Sequence, residues 1–295
     1  MKKKVLILGA RGMLGHKLVY QLAQSRIYDV YGTIAGPPED QALLPFNLGD
    51  NLICDFEAED ITALDHLFDS IQPDIVINCI AKTKTPQILS NMLSAININS
   101  RLPHLLAKYC RTIQARLIHI STDSLFGDNH GNYIEQSGII TSDAYSMTKF
   151  LGEVADPGSI TIRTSIIGHE LTGKSGFLEW FLSQGDRVKG YTNVIYTGLP
   201  TIELAEVIIN FVLPDNNLTG IYHIGSEPIS KYEILKLVST SYKKDIEIEA
   251  DREKKMNRSL NSSKFQAATG YKPPSWQHLV NKMHQDYIKL KTWYQ

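Results

Sequence analysis

Apolar residues arrive in short unbroken runs along the first half of the chain, each followed by a stretch where they recur every three or four positions. Val5-Leu6-Ile7-Leu8 is one such run, suited to a strand covered on both faces. From Met13 to Ser25, the residues Met13, Leu14, Leu18, Val19 and Leu22 fall on one side of a helix. Further strands are predicted over Tyr28 to Ile34, Asn51 to Asp55, Asp74 to Ile80, Arg116 to Ser121 and Ser159 to Ser165. Helices are predicted between them: Ile61 to Ile71, stopped by Pro73; Leu89 to Cys110, interrupted near Pro103; and Ala144 to Val154, ended by Asp156-Pro157-Gly158. Such alternation builds a parallel sheet with helices on both faces. The expected fold is α/β: a Rossmann-type doubly wound parallel sheet over residues 1–165, with a smaller α/β lobe over residues 166–295. In that second part the rhythm loosens. Helices are predicted at Glu203 to Val212, Lys231 to Tyr242 and Gln277 to Leu290, with a short strand at Gly220 to Ile224, and some segments are expected to return to the first domain. The mixed-sign segment Asp251 to Arg258 reads as a solvated loop.

Charge and cysteine usage narrow the possible partners. The chain has 295 residues, with 30 Lys+Arg against 31 Asp+Glu. That balance excludes a bulk polyelectrolyte binder of nucleic acid, whose affinity comes from neutralising many phosphates. No apolar run reaches the roughly 18 residues of a membrane span. The run after Met1-Lys2-Lys3-Lys4 is too short for a signal peptide, so a cytoplasmic protein is expected. Cys54, Cys79 and Cys110 are widely spaced in apolar surroundings and read as buried thiols in a reducing compartment. The adjacent His169-Glu170 cannot both face one metal on a regular element, and no metal is expected.

Two motifs carry chemistry. Gly9-Ala10-Arg11-Gly12-Met13-Leu14-Gly15 follows the first predicted strand and opens the first predicted helix. Glycines allow a sharp turn and close approach of a pyrophosphate, and the helix N-terminus supplies partial positive charge. In this context the motif predicts dinucleotide binding by the loop from Gly9 to Gly15. The end of the second strand, Gly32-Thr33-Ile34-Ala35, has no carboxylate before Glu39 to hold a ribose 2′-hydroxyl. Arg11 is placed to pair with a 2′-phosphate, or is simply a loop cation. NADP(H) is therefore favoured over NAD(H). The second motif, Tyr145-Ser146-Met147-Thr148-Lys149, sets a phenol and an ammonium one helical turn apart. A nearby cation lowers a phenol's pKa from about 10 and makes proton transfer workable.

The glycine loop, Ser121-Thr122-Asp123 with Phe126, and the Tyr145/Lys149 pair together resemble the extended short-chain dehydrogenase/reductase superfamily. The chain is most similar to its dTDP-4-dehydrorhamnose reductase-like branch, through Ile162-Arg163-Thr164-Ser165, Gly198-Leu199-Pro200-Thr201 and Arg258-Ser259-Leu260. The resemblance implies an NAD(P)H-dependent reductase of a 4-keto-deoxy nucleotide sugar in bacterial surface-polysaccharide precursor synthesis. It implies catalytic roles for Thr122, Tyr145 and Lys149, with Asn99 a candidate fourth member and Asn97 its rival. It places Asp123 on the substrate, or as the cap of the next turn. It sets Asp55 near the adenine, or as a loop cap, and Asn78, Ala81 and Thr164 along the cofactor. Lys174, Trp180, Lys189, Tyr191 and Arg258 are available to a nucleotide sugar's phosphates and base. Arg258 is the favoured diphosphate contact, and Trp180 is either a base platform or core. Ser124 and Leu125 stand where rhamnose-pathway reductases commonly show an aromatic residue and Val, and the stretches Ile80 to Lys84 and Arg163 to Glu170 look more like a sister group of sugar nucleotide-binding reductases, some acting on UDP-linked N-acetyl-deoxyhexuloses. Both dTDP- and UDP-linked substrates therefore stay open.

Rival readings are a 4,6-dehydratase or epimerase of the superfamily, and a non-catalytic NADP-binding regulatory subunit. Dehydratases usually follow the catalytic Thr with Asp-Glu, whereas here Ser124 follows Asp123. Epimerases retain NAD through the second-strand acid, which is also missing. The complete Thr122, Tyr145 and Lys149 set favours catalysis over regulation. A homodimer is a further expectation from the superfamily.

Overall fold

The computed structural model describes residues 2–83, 91–128, 130–141, 143–173 and 175–294. Strand β1 (Lys4–Leu8) pairs in parallel with β2 (Asp29–Thr33), and β2 with β3 (Leu52–Ile53). The chain then crosses to the other side of β1. There β4 (Ile75–Asn78), β5 (Arg116–Thr122), β6 (Ser159–Thr164) and β10 (Gly220–His223) complete a seven-stranded parallel sheet. The order reverses between β1 and β4, and the register Leu8 to Asn78 brings their carboxyl ends level. Ligand crevices of doubly wound sheets form at such a reversal.

Alternate residues of β1 face opposite layers. Val5 and Ile7 join Leu14, Leu18, Val19 and Leu22 around helix α1 (Gly15–Ser25), together with Leu204 and Val207 of α7 (Thr201–Val207) and Leu279 and Met283 of α10 (Trp276–Leu290). Leu6 and Leu8 pack with Leu64, Leu67 and Phe68 of α2 (Ile61–Ile71) and Leu106 of α4 (Leu102–Thr112). The α2 span is the predicted one: Asp60 caps it by accepting from the Thr62 amide at 2.8 Å, and its periodic apolar residues are the buried ones. Likewise α8 (Lys231–Tyr242) begins at a capping box between Ser230 and Glu233.

Four expectations are corrected. The stretch predicted as one helix from Leu89, a residue outside the described ones, is α3 (Met92–Ala95), a π-helical turn (Ile96–Arg101) and α4. The wider turn lets Asn99 and Ser100 face inward, where they bind Thr148 of α5 (Ala144–Leu151). The interruption expected near Pro103 is this π-helical turn, which ends at Arg101, two residues before the proline. Helix α5 ends at Leu151, short of Val154, with Gly152 as its C-cap packed against the Asn99 carbonyl; a Cβ there would stand 1.8 Å from that oxygen. The helix predicted over Glu203 to Val212 begins earlier and finishes as a π-helical turn, Ile208–Val212. Finally, the charged segment read as a loop belongs to β12 (Glu247–Asn257), which with β11 (Ile229–Ser230) flanks β8 (Arg187–Tyr196) in a second sheet; β7 (Ile166–Ile167) pairs with β9 (Leu199–Pro200), and α9 (Ser263–Thr269) precedes α10. Backbone pairing to β8 holds β12 in place while its charged side chains stay largely exposed.

Beneath the site, the Arg163 guanidinium donates to both carboxylate oxygens of Glu153, Nε at 2.8 Å and Nη2 at 2.7 Å, with both residues buried. Glu153 also accepts from the Ser121 hydroxyl at 2.7 Å. Arg163→Met leaves a buried carboxylate without its cation. It is expected to lower the free energy of unfolding by about 3–5 kcal/mol, read from urea midpoints at constant m.

Candidate active site

Strand β1 ends in Gly9, whose φ of 82° favours glycine and whose Cβ, if present, would crowd Ile80. The chain turns through Arg11 and Gly12, the Gly12 amide donating to the Gly9 carbonyl at 3.0 Å. Helix α1 then starts hard against the strand end: a Cβ on Gly15 would lie 2.1 Å from the Gly9 oxygen. No side chain caps this N-terminus, its first turn carries no acid, and the first helical bond runs from the His16 amide to the Gly12 carbonyl at 3.0 Å. The amides of Met13 and Leu14 are left for a ligand.

Two hollows meet at this turn. One, of about 580 Å³, runs from Met13 and Leu14 past Cys79 and Ala81 to Thr122, Tyr145, Lys149 and Thr164. The other, of about 930 Å³, lies between the ends of β2 and β4, lined by Gly9, Arg11, Gly36 and the stretch Phe56 to Glu59. An uncapped helix N-terminus between two hollows of this size fits a dinucleotide, with its phosphates at the amides.

The first hollow gathers the predicted chemical groups. Helix α5 is capped by Asp143, which accepts from the Ser146 amide at 3.0 Å, and it carries Tyr145 and Lys149 one turn apart. Lys149 is buried and donates from Nζ to the Ile120 carbonyl at 2.7 Å; burial pulls its ammonium down to about 8, with Glu153 and Cys79 acting in the other direction. Burial pushes the Tyr145 phenol up to about 12; the Thr122 hydroxyl works against this, while Asp123 and Asp143 add to it. The expected lowering of the phenol by Lys149 is therefore not what this arrangement produces. Burial of the phenol is the largest cause, Asp123 and Asp143 add to it, and the ammonium is held by a backbone carbonyl. Thr122 lines the cleft and also caps the turn Asp123–Leu125, accepting from the Ser124 amide at 3.2 Å.

Other predicted residues stand elsewhere. Gly15 makes the close helix–strand contact and does not line the cleft. Asp55 is exposed with φ 50°, its amide bonded to the Gly36 carbonyl, and the following residues Phe56 to Glu59 line the hollow in its stead. Asn78 is buried beneath the floor: its side chain donates to His119 Nδ1 at 3.2 Å and accepts from the Ile80 amide at 3.1 Å, shaping the turn that presents Ala81. Asn99, not Asn97, turns inward, but it binds the Lys82 backbone and the Thr148 hydroxyl, one layer behind the reacting groups. Asn97 reaches Glu59 at 3.0 Å. Arg11 is engaged in an ion pair with Asp40. Trp180, on α6 (Phe177–Ser183), is not core; it is 39% exposed and stacked on Phe177. Arg258 pairs with Asp128 at 2.5 Å. Lys174 and Lys84 lie outside the described residues. His169 binds Glu179 and Tyr242, while Glu170 lines the cleft and accepts from the amides of Ser175 and Gly176.

One cation escaped the sequence reading. Lys231 is the first residue of α8, with Nζ 4.6 Å from the centre of the Phe177 ring. Burial pushes the Asp123 carboxyl up to about 6, opposed by Arg258 and by Lys231. A lysine at a helix N-terminus opposes the macrodipole, and that local conflict was the available signal.

Residues 2–289 match the family model of the RmlD substrate binding domain. The chain belongs to that family. It is 27% identical over 315 residues to a dTDP-4-dehydrorhamnose reductase of Aggregatibacter actinomycetemcomitans, covering 95% of this chain and 98% of that protein. It is 30% identical over 238 residues to the Bacillus subtilis spore coat polysaccharide biosynthesis protein SpsK, covering 78% and 75%. In fold it resembles a Bacillus anthracis dTDP-4-dehydrorhamnose reductase solved in complex with NADP, with a TM-score of 0.79 at 20% identity over 97% of this chain and all of that one.

The burial of Lys149 has a direct readout. With ¹³C-dimethylated lysines assigned through Lys149→Arg, one resonance is expected to titrate near pH 8, not near 10.5. Glu153→Gln is expected to move it lower still, because Glu153 favours the ammonium.

Proposed function

We propose that the protein is an NAD(P)H-dependent oxidoreductase that reduces the keto group of a 4-keto-deoxy nucleotide sugar in making polysaccharide precursors. One observation carries the reading: Thr122, Tyr145 and Lys149 line the same cleft as the amide-bearing turn after β1. A reduced nicotinamide dinucleotide bound there supplies hydride to the carbonyl carbon. Met13 and Leu14 would hold its phosphates by their amides, and Lys149 and Thr164 its nicotinamide half. The Tyr145 hydroxyl gives its proton to the developing alkoxide, and the Thr122 hydroxyl donates a hydrogen bond to the same oxygen. A phenol held near 12 is fully protonated at neutral pH, the state needed for donation. Asn99 positions α5 through Thr148. On the substrate side, Lys231 and Arg258 flank Asp123 and would bind the diphosphate, with the Phe177–Trp180 pair beside Lys231 as the surface for the base. Ser124 fits reduction better than dehydration: it is buried and bonded to Thr122 and Ser146, with no second carboxylate in its place.

NADPH is the favoured donor, with Arg11 exchanging Asp40 for a 2′-phosphate. Asp40→Asn is expected to raise the ratio of kcat/KM for NADPH to that for NADH by about tenfold, the scale of one charge-assisted contact. A ratio that does not change would separate Arg11 from the 2′-position.

Turnover is tested with dTDP- and UDP-linked 4-keto sugars, NADPH and NADH in parallel. Tyr145→Phe removes the proton donor and is expected to lower kcat by about 10²–10⁴-fold. Undiminished turnover in that variant would remove the mechanism, and no turnover across the panel would turn the reading toward a binding subunit.

A further inference from the structure

Lys17, one turn into α1 on the side away from the cleft, is 1% exposed, yet it is a cation. Its Nζ donates to the Asp286 carboxylate of α10 and to the hydroxyl of Tyr294. Tyr294 is also within 3.4 Å of His16 Nε2, and His16 Nδ1 is 2.8 Å from the Gly12 carbonyl. The protons in this chain can be placed without ambiguity. A carbonyl only accepts, so His16 carries its proton on Nδ1 and donates to Gly12. Nε2 is then an acceptor, so the Tyr294 hydroxyl donates to it and must accept from Lys17, which has only donors to offer. Burial and the neighbouring Lys17 hold His16 neutral, its pKa lowered to about 3, in keeping with this arrangement. The ring of Tyr294 is fixed by its own packing, edge-on to His16 with centroids 6.0 Å apart and 5.7 Å from Tyr287, which in turn stacks on His169 at 4.3 Å.

The end of this chain is the phosphate-binding turn. The peptide joining Gly12 to Met13 is planar and trans, so its C=O and N–H point in opposite directions. The carbonyl runs along α1 toward His16, and the Met13 N–H is thereby aimed out of the helix end into the cleft. Any group that fixes the Gly12 oxygen fixes that amide. We propose that Asp286, Lys17, Tyr294 and His16 form a relay by which the C-terminal segment positions the Met13 amide for the dinucleotide phosphates. Tyr294 and His16 are thus positioning residues for cofactor binding although neither lines the cleft. The inference rests on the dinucleotide reading above, and it adds a control point at the far end of the chain, 278 residues from His16.

The test is a double-mutant cycle on Tyr294→Phe and His16→Ala, read as the Kd for NADPH by fluorescence titration and checked against thermal midpoint, KM and kcat. Tyr294→Phe keeps the ring and loses only the hydroxyl. It is expected to raise Kd and KM by about five- to tenfold, the scale of a net hydrogen bond, with kcat within about twofold and the thermal midpoint lowered by only a few degrees. The double variant is expected to bind no worse than His16→Ala alone, because both changes break one chain. His16→Gln, whose amide can donate to Gly12, is expected to recover part of the affinity lost in His16→Ala. Unchanged Kd in Tyr294→Phe, or additive losses in the double variant, would overturn the relay while leaving the dinucleotide reading intact. Wild-type protein binding neither NADPH nor NADH would overturn the dinucleotide reading, and the relay's role with it.

Discussion

The contact between Gly15 and the carbonyl of Gly9 is the constraint from which the site follows. A helix packed so close to the end of β1 that a Cβ at position 15 would lie 2.1 Å from the Gly9 oxygen cannot be set back on a loop. Its first free amides therefore open at the one place where the sheet order reverses, between β1 and β4. Both hollows depend on that placement, because the same turn forms the inner wall of each. A side chain at position 15 would push α1 outward and separate the amides from the groups on β5 and α5 that have to act beside them.

Within the cleft, burial and electrostatics set the protonation states. Burial and two carboxylates keep Tyr145 protonated, while the Ile120 carbonyl of β5 holds the Lys149 ammonium and Glu153 favours its charged form. A phenol in this state carries the proton that reduction of a ketone consumes. Asp123 has a complementary position. Its carboxyl is raised by burial to about 6 but flanked by Arg258 and Lys231, so a dianionic diphosphate near those cations would compete with it directly.

What was legible in the sequence was whatever repeats locally. The apolar period placed α2 and α8 to the residue, and strand–turn–helix context identified the glycine turn. The π-helical turn before α4 was not legible, because its extra residue exists to bring Asn99 and Ser100 onto α5, a partner about 50 positions away. Strand β12 looked like a loop because its charges are real surface charges; only the backbone of β8 makes it a strand. The pairs Arg11–Asp40 and Lys17–Asp286 join residues 29 and 269 positions apart, and nothing in their local pattern announces a partner. Asp55 and Asn78 were placed by resemblance alone, and the structure turns each toward a structural bond; Arg258, placed the same way, is paired with Asp128 from 130 positions away.

The buried ions share a feature that stability alone does not explain. A desolvated ion pair gains little over well-packed apolar side chains of the same volume, so two such pairs in one small protein call for a reason beyond burial. Each touches the site at one remove. Glu153, paired with Arg163, accepts from Ser121, the neighbour of Thr122. Lys17, paired with Asp286, sits next to His16, which holds the Gly12 carbonyl. Apolar replacements would fill the space yet leave the end of β5 and the turn after β1 without directional bonds. Orientation of two backbone segments is what these charges supply, and it is the quantity a hydride and proton transfer is most sensitive to, since small misplacements of reacting groups cost orders of magnitude in rate.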